Sequence, residues 1–252
     1  MPKLAHPDVE LALAKKAEKY GIAHCGCTLL AETASSVQPN SIPFFFQLYV
    51  NKDRSASEAL LRDGGLIDIP LIILLFKEGD EGVKAESATY AETAINDATA
   101  TNDTKGRGLG QTLATYIDYI FNWEDTKWLR KATKLKILAK SVQTAGDAVL
   151  VMEHCLSGII ISNHGGRNLD TSPLSFPTLV PMRRYHFEVL QYLEVYIDCG
   201  IMRGTDAAKA LCLGAKAFRI SRPFPYSLIY CQEGVEPFID IIQDELEITM
   251  KC

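Results

Sequence analysis

Residues 135–162 read LKILAKSVQTAGDAVLVMEHCLSGIIIS and contain one complete strand, helix and strand unit. The two outer parts, 135–142 and 158–162, are short and largely apolar, as expected of strands that are covered on both faces. The segment 145–154 between them has the length and composition of a helix. Two short buried strands joined by a crossover helix predict a parallel β/α fold.

The same alternation continues in both directions along the chain. Further strands are predicted at 22–25, 44–49, 71–76, 194–198 and 216–221. Further helices are predicted at 8–20, 57–62, 125–132, 206–213 and 235–250. Seven short apolar strands separated by helices favour one β/α barrel domain over residues 1–252, although periodicity alone leaves a doubly wound sheet open.

The alternation stops over a long polar excursion at about 78–110. Within it, Ala and Thr supply 11 of the 20 residues from 85 to 104, and few side chains there are large enough to bury. A mobile excursion that serves as a lid and a solvated surface loop without a role both fit this composition.

Composition and charge exclude several classes of function. The 26 basic and 31 acidic side chains give a formal net charge of −5, so no global positive field exists to hold nucleic acid. The longest apolar run, 69–76, is far shorter than the roughly 20 residues that cross a bilayer. The first six residues lack an apolar signal segment, and residues 249–252 are not a peroxisomal address. We therefore expect a cytoplasmic protein.

Seven cysteines are scattered along the chain. An odd number without a signal segment indicates reduced thiols in a reducing compartment. Cys25 and Cys27 form the one close pair, and a metal or redox site there stays open as an alternative. Because no second cluster supplies further ligands, we expect buried structural thiols and no metal.

Polar residues follow three of the predicted strands, at the strand ends where a β/α barrel places its chemistry. After 158–161 come His164 and Arg167, a potential base and an anion-binding guanidinium, separated by two glycines that let a flat ligand approach the backbone. An ordinary loop also accommodates His-Gly-Gly. Residues 198–206 and 221–224 follow the next two strands, where β/α barrels commonly bind a phosphate.

These residues resemble the FMN-dependent α-hydroxy acid dehydrogenases and oxidases. The resemblance is densest from 134 to 250. It rests on Ser-Asn-His-Gly-Gly-Arg at 162–167, Arg-Gly-Thr-Asp at 203–206, Lys-Ala-Leu-Cys-Leu-Gly-Ala-Lys at 209–216 and Arg-Pro-Phe at 222–224. It extends more weakly to 47–54 and 4–7. It implies a (β/α)8 barrel that binds FMN and oxidises an L-2-hydroxy acid of the lactate or glycolate type to the 2-oxo acid. A small hydroxy acid partner and a homo-oligomer are expected with it.

Matching positions imply roles for individual residues on the substrate side. His164 resembles the active-site base, and Arg167 resembles the guanidinium that clamps the substrate carboxylate. Tyr49 resembles the tyrosine that faces the substrate. A base, a cation and a flavin that accepts electrons are together what oxidation of a 2-hydroxy acid requires.

Further matching positions imply a cofactor site. Gln47 resembles a ligand of the flavin ring, and Lys140 resembles the cation beside flavin N1 and O2, which stabilises the anionic reduced flavin. The ribityl and phosphate end is assigned to Asp198, Gly200, Ser221 and Arg222, with Gly200 and Ser221 acting through backbone N–H groups.

Several positions depart from the family pattern. The strand 71–76 places Leu74 or Phe76, according to register, where the family has Thr. It also lacks the following Asp that orients the catalytic His. Further departures are Cys27 for a flavin-binding Ser, Cys199 and Ser221 for Gly, and Met202 for a phosphate-binding Arg. The chain also begins just past the family's first strand, so a barrel short of one strand is expected.

Three functions are therefore compared. The first is a working FMN-dependent 2-hydroxy acid oxidoreductase. The second is a degenerate member that keeps the barrel as a structural or interaction protein. The third is another phosphate-binding barrel, which explains the phosphate end but not Ser-Asn-His-Gly-Gly-Arg.

Overall fold

The computed structural model describes residues 9–27, 44–63, 70–74, 117–118, 120–166 and 171–252. Its strands are β1 His24–Cys27, β2 Phe44–Leu48, β3 Leu71–Leu74, β4 Ile137–Val142, β5 Gly158–Ile161, β6 Glu194–Ile197 and β7 Ala217–Phe218. Its α-helices are α1 Val9–Tyr20, α2 Arg54–Asp63, α3 Thr126–Ala132, α4 Ala145–Glu153, α5 Ser175–Tyr185, α6 Phe187–Tyr192, α7 Gly204–Cys212, α8 Pro223–Ser227 and α9 Val235–Lys251. Short 3-10 helices cover His164–Gly166, Leu228–Tyr230 and Gln232–Gly234.

The seven strands form one sheet in chain order, and every neighbouring pair is parallel. Parallel strands in sequential order, joined by helices, confirm the predicted β/α architecture. In the described part of the chain, β1 and β7 are the two edges of the sheet.

The two faces of the sheet carry separate cores. One face packs against the helices through a large buried cluster that includes Phe46, Ile73, Ile159 and Ile197. The other face carries a smaller buried cluster of Ile72, Leu138, Ile160 and Tyr196. Since neighbouring residues along a strand point to opposite faces, this division follows from the strand geometry.

The smaller cluster shows that the sheet curls. The rings of Phe45 on β2 and Tyr196 on β6 meet edge to face, with centroids 5.6 Å apart. These strands are four places apart in the sheet, and a flat sheet would separate them by about 19 Å. The small cluster is therefore the interior of a partial barrel, and the helices cover its outside.

The helices end and begin as their sequences dictate. At the start of α4, the Thr144 side chain accepts a hydrogen bond from Asp147 N at 3.0 Å, which satisfies one of the free N–H groups of the first turn. After α7, Gly214 takes a φ of +105°, a conformation that glycine adopts at little cost.

Some sequence predictions need correction. The first strand was predicted at 22–25 but covers His24–Cys27, so both close cysteines lie within the strand. The helices α5, α6 and α8 were not predicted. The polar excursion at about 78–110 lies outside the described residues. Among the described helices, no segment is long and apolar enough to cross a membrane.

Candidate active site

The carboxyl ends of the strands place several predicted site residues inside the curled sheet. Gln47 lies near the end of β2 and Tyr49 follows it, Lys140 lies on β4, His164 follows β5 and Asp198 follows β6. All five are less than 10% exposed. Buried polar and charged side chains are costly unless other groups compensate them, so this cluster is a candidate functional site rather than ordinary core.

The end of β2 contributes a linked pair of side chains. The Gln47 amide Nε2 donates a hydrogen bond to the Tyr49 hydroxyl. Residues two apart on an extended segment share one face, which explains why both side chains enter the interior. The pair therefore presents a phenol and an amide together at the site.

Lys140 is the buried cation of the site. Its side chain is 4% exposed, and burial is the main reason that its pKa falls from 10.5 to about 8. The Asp198 carboxylate opposes this fall, whereas Arg219 adds to it. The register of β4 is irregular just after Lys140, where Ser141 has a φ of +68°. Such bulges commonly reorient side chains beside functional sites.

The turn after β5 holds His164 in an unusual backbone conformation. His164 has a φ of +55° and is 6% exposed. Its backbone N–H donates to Ser162 Oγ at 3.1 Å, and Gly165 N–H donates to Asn163 Oδ1 at 3.1 Å. These local bonds explain why Ser, Asn and Gly surround the histidine: they stabilise a strained turn.

The turn after β6 is hydrogen-bonded to the turn that holds His164. Cys199 Sγ accepts a hydrogen bond from Gly165 N–H at 3.0 Å and donates one to Asp198 Oδ1 at 2.8 Å. Burial and the Asp198 carboxylate raise the pKa of the Cys199 thiol, which favours its neutral form. Burial by itself would raise the pKa of Asp198, but Lys140 and Arg219 outweigh it and hold that pKa low.

The segment after β7 supplies two arginines. Arg222 is exposed at the rim, and its Nη2 donates to the Gly165 carbonyl oxygen at 3.3 Å. Arg219 lies deeper, with its Nη1 3.8 Å from Asp198 Oδ2. The turns after β5, β6 and β7 therefore contact one another.

Two other residues follow β6 at this end of the sheet. Met202 is 63% exposed. Arg203 donates from Nη2 to Glu245 Oε1 on α9 at 2.8 Å. Arg203 is therefore engaged with the outer helix layer and does not take over the place of the arginine that the family pattern has at 202.

Some predicted positions are not tested by this geometry. Arg167 and Phe76 lie outside the described residues. Leu74, the last residue of β3, pairs in register with Lys140. The backbones of Gly200 and Ser221 lie in the exposed turns after β6 and β7.

Sequence reasoning passed over two residues that the structure brings into the site. Cys199 was considered only as a replacement for glycine, yet its thiol links the two central turns. Arg219 was not singled out at all. A charged residue between Phe218 and Ile220, inside a predicted apolar strand, was the available signal. Side-chain alternation would have placed that charge on the interior face.

Comparison with known proteins agrees with this geometry. The family description "FMN-dependent dehydrogenase" matches residues 1–252. The chain is 33% identical over 264 residues to an L-lactate dehydrogenase (cytochrome) of Wickerhamomyces anomalus, covering 100% of this chain and 45% of the relative. It is 36% identical over 268 residues to glycolate oxidase 3 of Oryza sativa subsp. indica, covering 99% and 71%.

Solved structures show the same fold. The flavin-binding domain of baker's yeast flavocytochrome b2 superposes with a TM-score of 0.80 at 32% identity, over 100% of this chain and 62% of that one. A mandelate oxidase with (S)-4-hydroxymandelic acid superposes with a TM-score of 0.81 at 26% identity, over 99% and 72%.

The fold and its strand-end site thus define a flavoprotein-type β/α barrel domain. The chain belongs to the FMN-dependent dehydrogenase family, as the sequence resemblance predicted. It spans about half the length of the lactate dehydrogenase that it matches.

Proposed function

We propose that this protein oxidises a small L-2-hydroxy acid to the 2-oxo acid with FMN as cofactor. The observation that carries the proposal is that Lys140 and Asp198 interact inside the barrel, while the buried His164 lies on the adjoining turn, which Cys199 links to Asp198. The family pattern assigns the flavin cation to Lys140, the cofactor contact to Asp198 and the base to His164. Family membership and the lactate and glycolate specificities of the relatives support the same reaction.

The residues present fit an anionic flavin nucleotide. Lys140 supplies a buried positive charge, and Arg222 supplies an exposed one at the rim of the same site. A side chain built at Gly166 or Gly200 would meet no described atom within 4 Å, so open space adjoins both turns. Glycine turns beside open space allow a phosphate or a flat ring to approach the backbone N–H groups. Gln47 and Lys140 would face the ring, whereas Asp198, Gly200, Ser221 and Arg222 would face the ribityl and phosphate end.

The roles of the protein groups follow from the chemistry. When bound, FMN would accept a hydride equivalent, that is, the hydrogen of the substrate C–H bond together with its two bonding electrons. His164 takes the proton of the substrate hydroxyl, so that the carbon–oxygen double bond of the 2-oxo acid forms. Tyr49 orients the substrate, and Arg167 pairs with its carboxylate in a bidentate manner.

The experiment is a flavin titration followed by substrate addition. The purified chain is mixed with FMN, and flavin absorbance near 370 and 450 nm is followed with L-lactate or glycolate in the absence of oxygen. Bleaching at 450 nm supports the proposal. The His164→Ala variant should bind FMN as the parent does but lose about 10²–10⁴-fold in bleaching rate, the usual contribution of a positioned base.

The same experiment identifies the alternatives. Binding of FMN without bleaching by any 2-hydroxy acid indicates the degenerate member, which keeps the barrel and lacks catalysis. Equal bleaching rates in the parent and His164→Ala would show that another group is the base.

Two finer properties are part of the proposal. A cytoplasmic location is proposed because Cys25, Cys155, Cys199, Cys212, Cys231 and Cys252 are free thiols, which suit a reducing compartment. A homo-oligomer is supported by three exposed apolar side chains near the rim, Tyr226, Ile229 and Tyr230, each at least 66% exposed.

A further inference from the structure

We propose that Arg219 is a second cation of the flavin site, which acts with Lys140 to stabilise the reduced flavin ring. This inference rests on the proposed function, because it concerns the same cofactor. Neither the family pattern nor the sequence analysis assigns a role to position 219.

The position of Arg219 places its charge in the interior. In the sheet register Tyr196 pairs with Ala217, so Asp198 and Arg219, two residues further along, lie at the same level. Ala217 packs against the interior cluster, and alternation places Arg219 on the same face. The distance of 3.8 Å from Arg219 Nη1 to Asp198 Oδ2 agrees with that orientation.

Groups from the opposite side of the barrel mouth also interact with Arg219. Its charge interacts with Cys25 on β1 and with Tyr49 after β2, as well as with Asp198. Curling brings the edge strands β1 and β7 toward each other, so the guanidinium interacts with groups from both edges of the sheet. Arg219 also interacts with Lys140, which the family pattern assigns to the flavin ring.

The ion pairing of Arg219 is incomplete. At 3.8 Å its contact with Asp198 is too long for a hydrogen bond. Its Nη1 is buried and has no hydrogen-bond partner among the described residues. A buried donor of this kind is costly, and a ligand oxygen or nitrogen that accepts from it would remove the cost.

The charges in the cluster do not cancel. Among the described residues of the cluster, Lys140 and Arg219 carry two positive charges against the single carboxylate of Asp198. A guanidinium keeps its charge at any pH a protein tolerates, whereas the buried ammonium of Lys140 releases its proton more readily. Arg219 is therefore the permanent part of a net positive field at the ring.

A net positive field favours the reduced ring over the oxidised one. Two-electron reduction with uptake of one proton leaves a negative charge on the ring, next to N1 and O2. Arg222, which contacts the Gly165 turn at the rim, is placed for the phosphate, and the phosphate charge does not change on reduction. Arg219 should therefore alter the relative affinity for the two redox forms, which is measured as the midpoint potential.

The test compares Arg219→Met and Arg219→Lys in the FMN-loaded full chain. Arg219→Met should weaken binding of reduced FMN about tenfold relative to oxidised FMN, which corresponds to a midpoint potential lower by about 30 mV. Arg219→Lys keeps the charge and should stay near the parent value. The potential is measured by equilibration with a reference dye, and the affinity for oxidised FMN by fluorescence titration.

Arg184→Met is the matched control, because it removes one positive charge from an exposed position on α5 and should leave the potential unchanged. Thermal melting of each variant checks that it folds. If the parent and Arg219→Met both bind FMN and have the same midpoint potential, this inference is wrong, whereas the proposed function is unaffected. Tighter FMN binding by Arg219→Met also overturns this inference, because Arg219 would then obstruct the cofactor. No FMN binding by the folded parent overturns both this inference and the proposed function.

Discussion

Left-handed backbone conformations concentrate at the two turns that form the site. His164 and Cys199 have φ of +55° and +63°, and Gly165, Gly166 and Gly200 lie between +68° and +101°. For a residue with a side chain this conformation costs roughly 1–2 kcal/mol. Such strain persists where surrounding contacts fix it, and here the contacts are the hydrogen bonds among the two turns.

Gly165 and Gly166 allow a matched test of how the turn supports Arg222. A Cβ at Gly165 would lie 2.7 Å from Arg222 Nη2, whereas a Cβ at Gly166 would meet nothing within 4 Å. Gly165→Ala and Gly166→Ala should each lose roughly 1 kcal/mol of stability, because both positions are left-handed. Only Gly165→Ala should also weaken FMN binding, about tenfold, because it displaces the Arg222 guanidinium. Urea denaturation and fluorescence titration measure the two effects, and equal FMN affinities would show that Arg222 does not contact the cofactor.

Met202 allows a gain-of-affinity test at the phosphate end. The side chain is exposed and supplies no donor, and Arg203 beside it is engaged with Glu245. Met202→Arg should therefore tighten FMN about 10- to 100-fold, since a charge-assisted hydrogen bond contributes roughly 1.5–3 kcal/mol. Riboflavin, which lacks the phosphate, is the control ligand and should bind the parent and the variant equally. An unchanged FMN affinity would place the phosphate elsewhere.

Among the residues, the sequence was informative where a strand end carries polar groups. Polar or glycine-containing turns were predicted after β5, β6 and β7, and these turns contact one another through Gly165, Cys199 and Arg222. The link through Cys199 was beyond prediction, because it depends on a left-handed turn that brings a thiol to a neighbouring backbone N–H. A long-range contact of this type has no local sequence signal.

Among the elements, short buried strands were predictable and proline-containing helices were not. The strands on both sides of α4 were found within two residues of their observed bounds. Helix α5 contains Pro177 and Pro181, and proline usually ends helices, so its segment resembled a loop. Tertiary packing outweighs that preference, because Leu179 and Met182 of α5 are fully buried against the sheet.

Close packing of α7 against α9 gives an element-scale prediction. A Cβ at Gly204 would lie 2.3 Å from the backbone nitrogen of Leu246, and Gly204 N–H donates to Glu245 Oε2 at 2.9 Å. Gly204→Ala should therefore push the two helices apart and destabilise the protein by roughly 1–3 kcal/mol. Gly146→Ala, inside α4 with its nearest atom at 3.8 Å, should instead stabilise by roughly 0.5–1 kcal/mol. Thermal denaturation compares the pair, and a loss of stability in both variants would contradict the packing argument.

At the scale of the whole molecule, the local charge of the site is opposite to the net charge. The chain carries a formal net charge of −5, yet the interior gathers Lys140 and Arg219 around one carboxylate. Curling of the sheet produces this arrangement, because it brings the ends of non-adjacent strands together in a volume with little water. Composition argues against nucleic acid as a partner, but it carries no information on such a local field.

Burial of Lys140 should make the stability of the whole protein depend on pH. In the folded protein the pKa of Lys140 is about 8, below the value of 10.5 that an exposed lysine has. Between those two values the unfolded chain holds a proton that the folded chain has released, so stability rises with pH. Below about pH 8 both states are protonated, and burial of the charge costs roughly 3 kcal/mol.

Comparison with Lys140→Met isolates this contribution, because all other titrating groups are shared. The unfolding free energy of the parent relative to Lys140→Met should rise by roughly 3 kcal/mol from pH 7.5 to pH 10.5. Urea denaturation of the flavin-free proteins at several pH values, with a thiol reductant present, measures the difference. A difference that stays constant over this range would show that Lys140 titrates as an exposed lysine and that the interior is open to water.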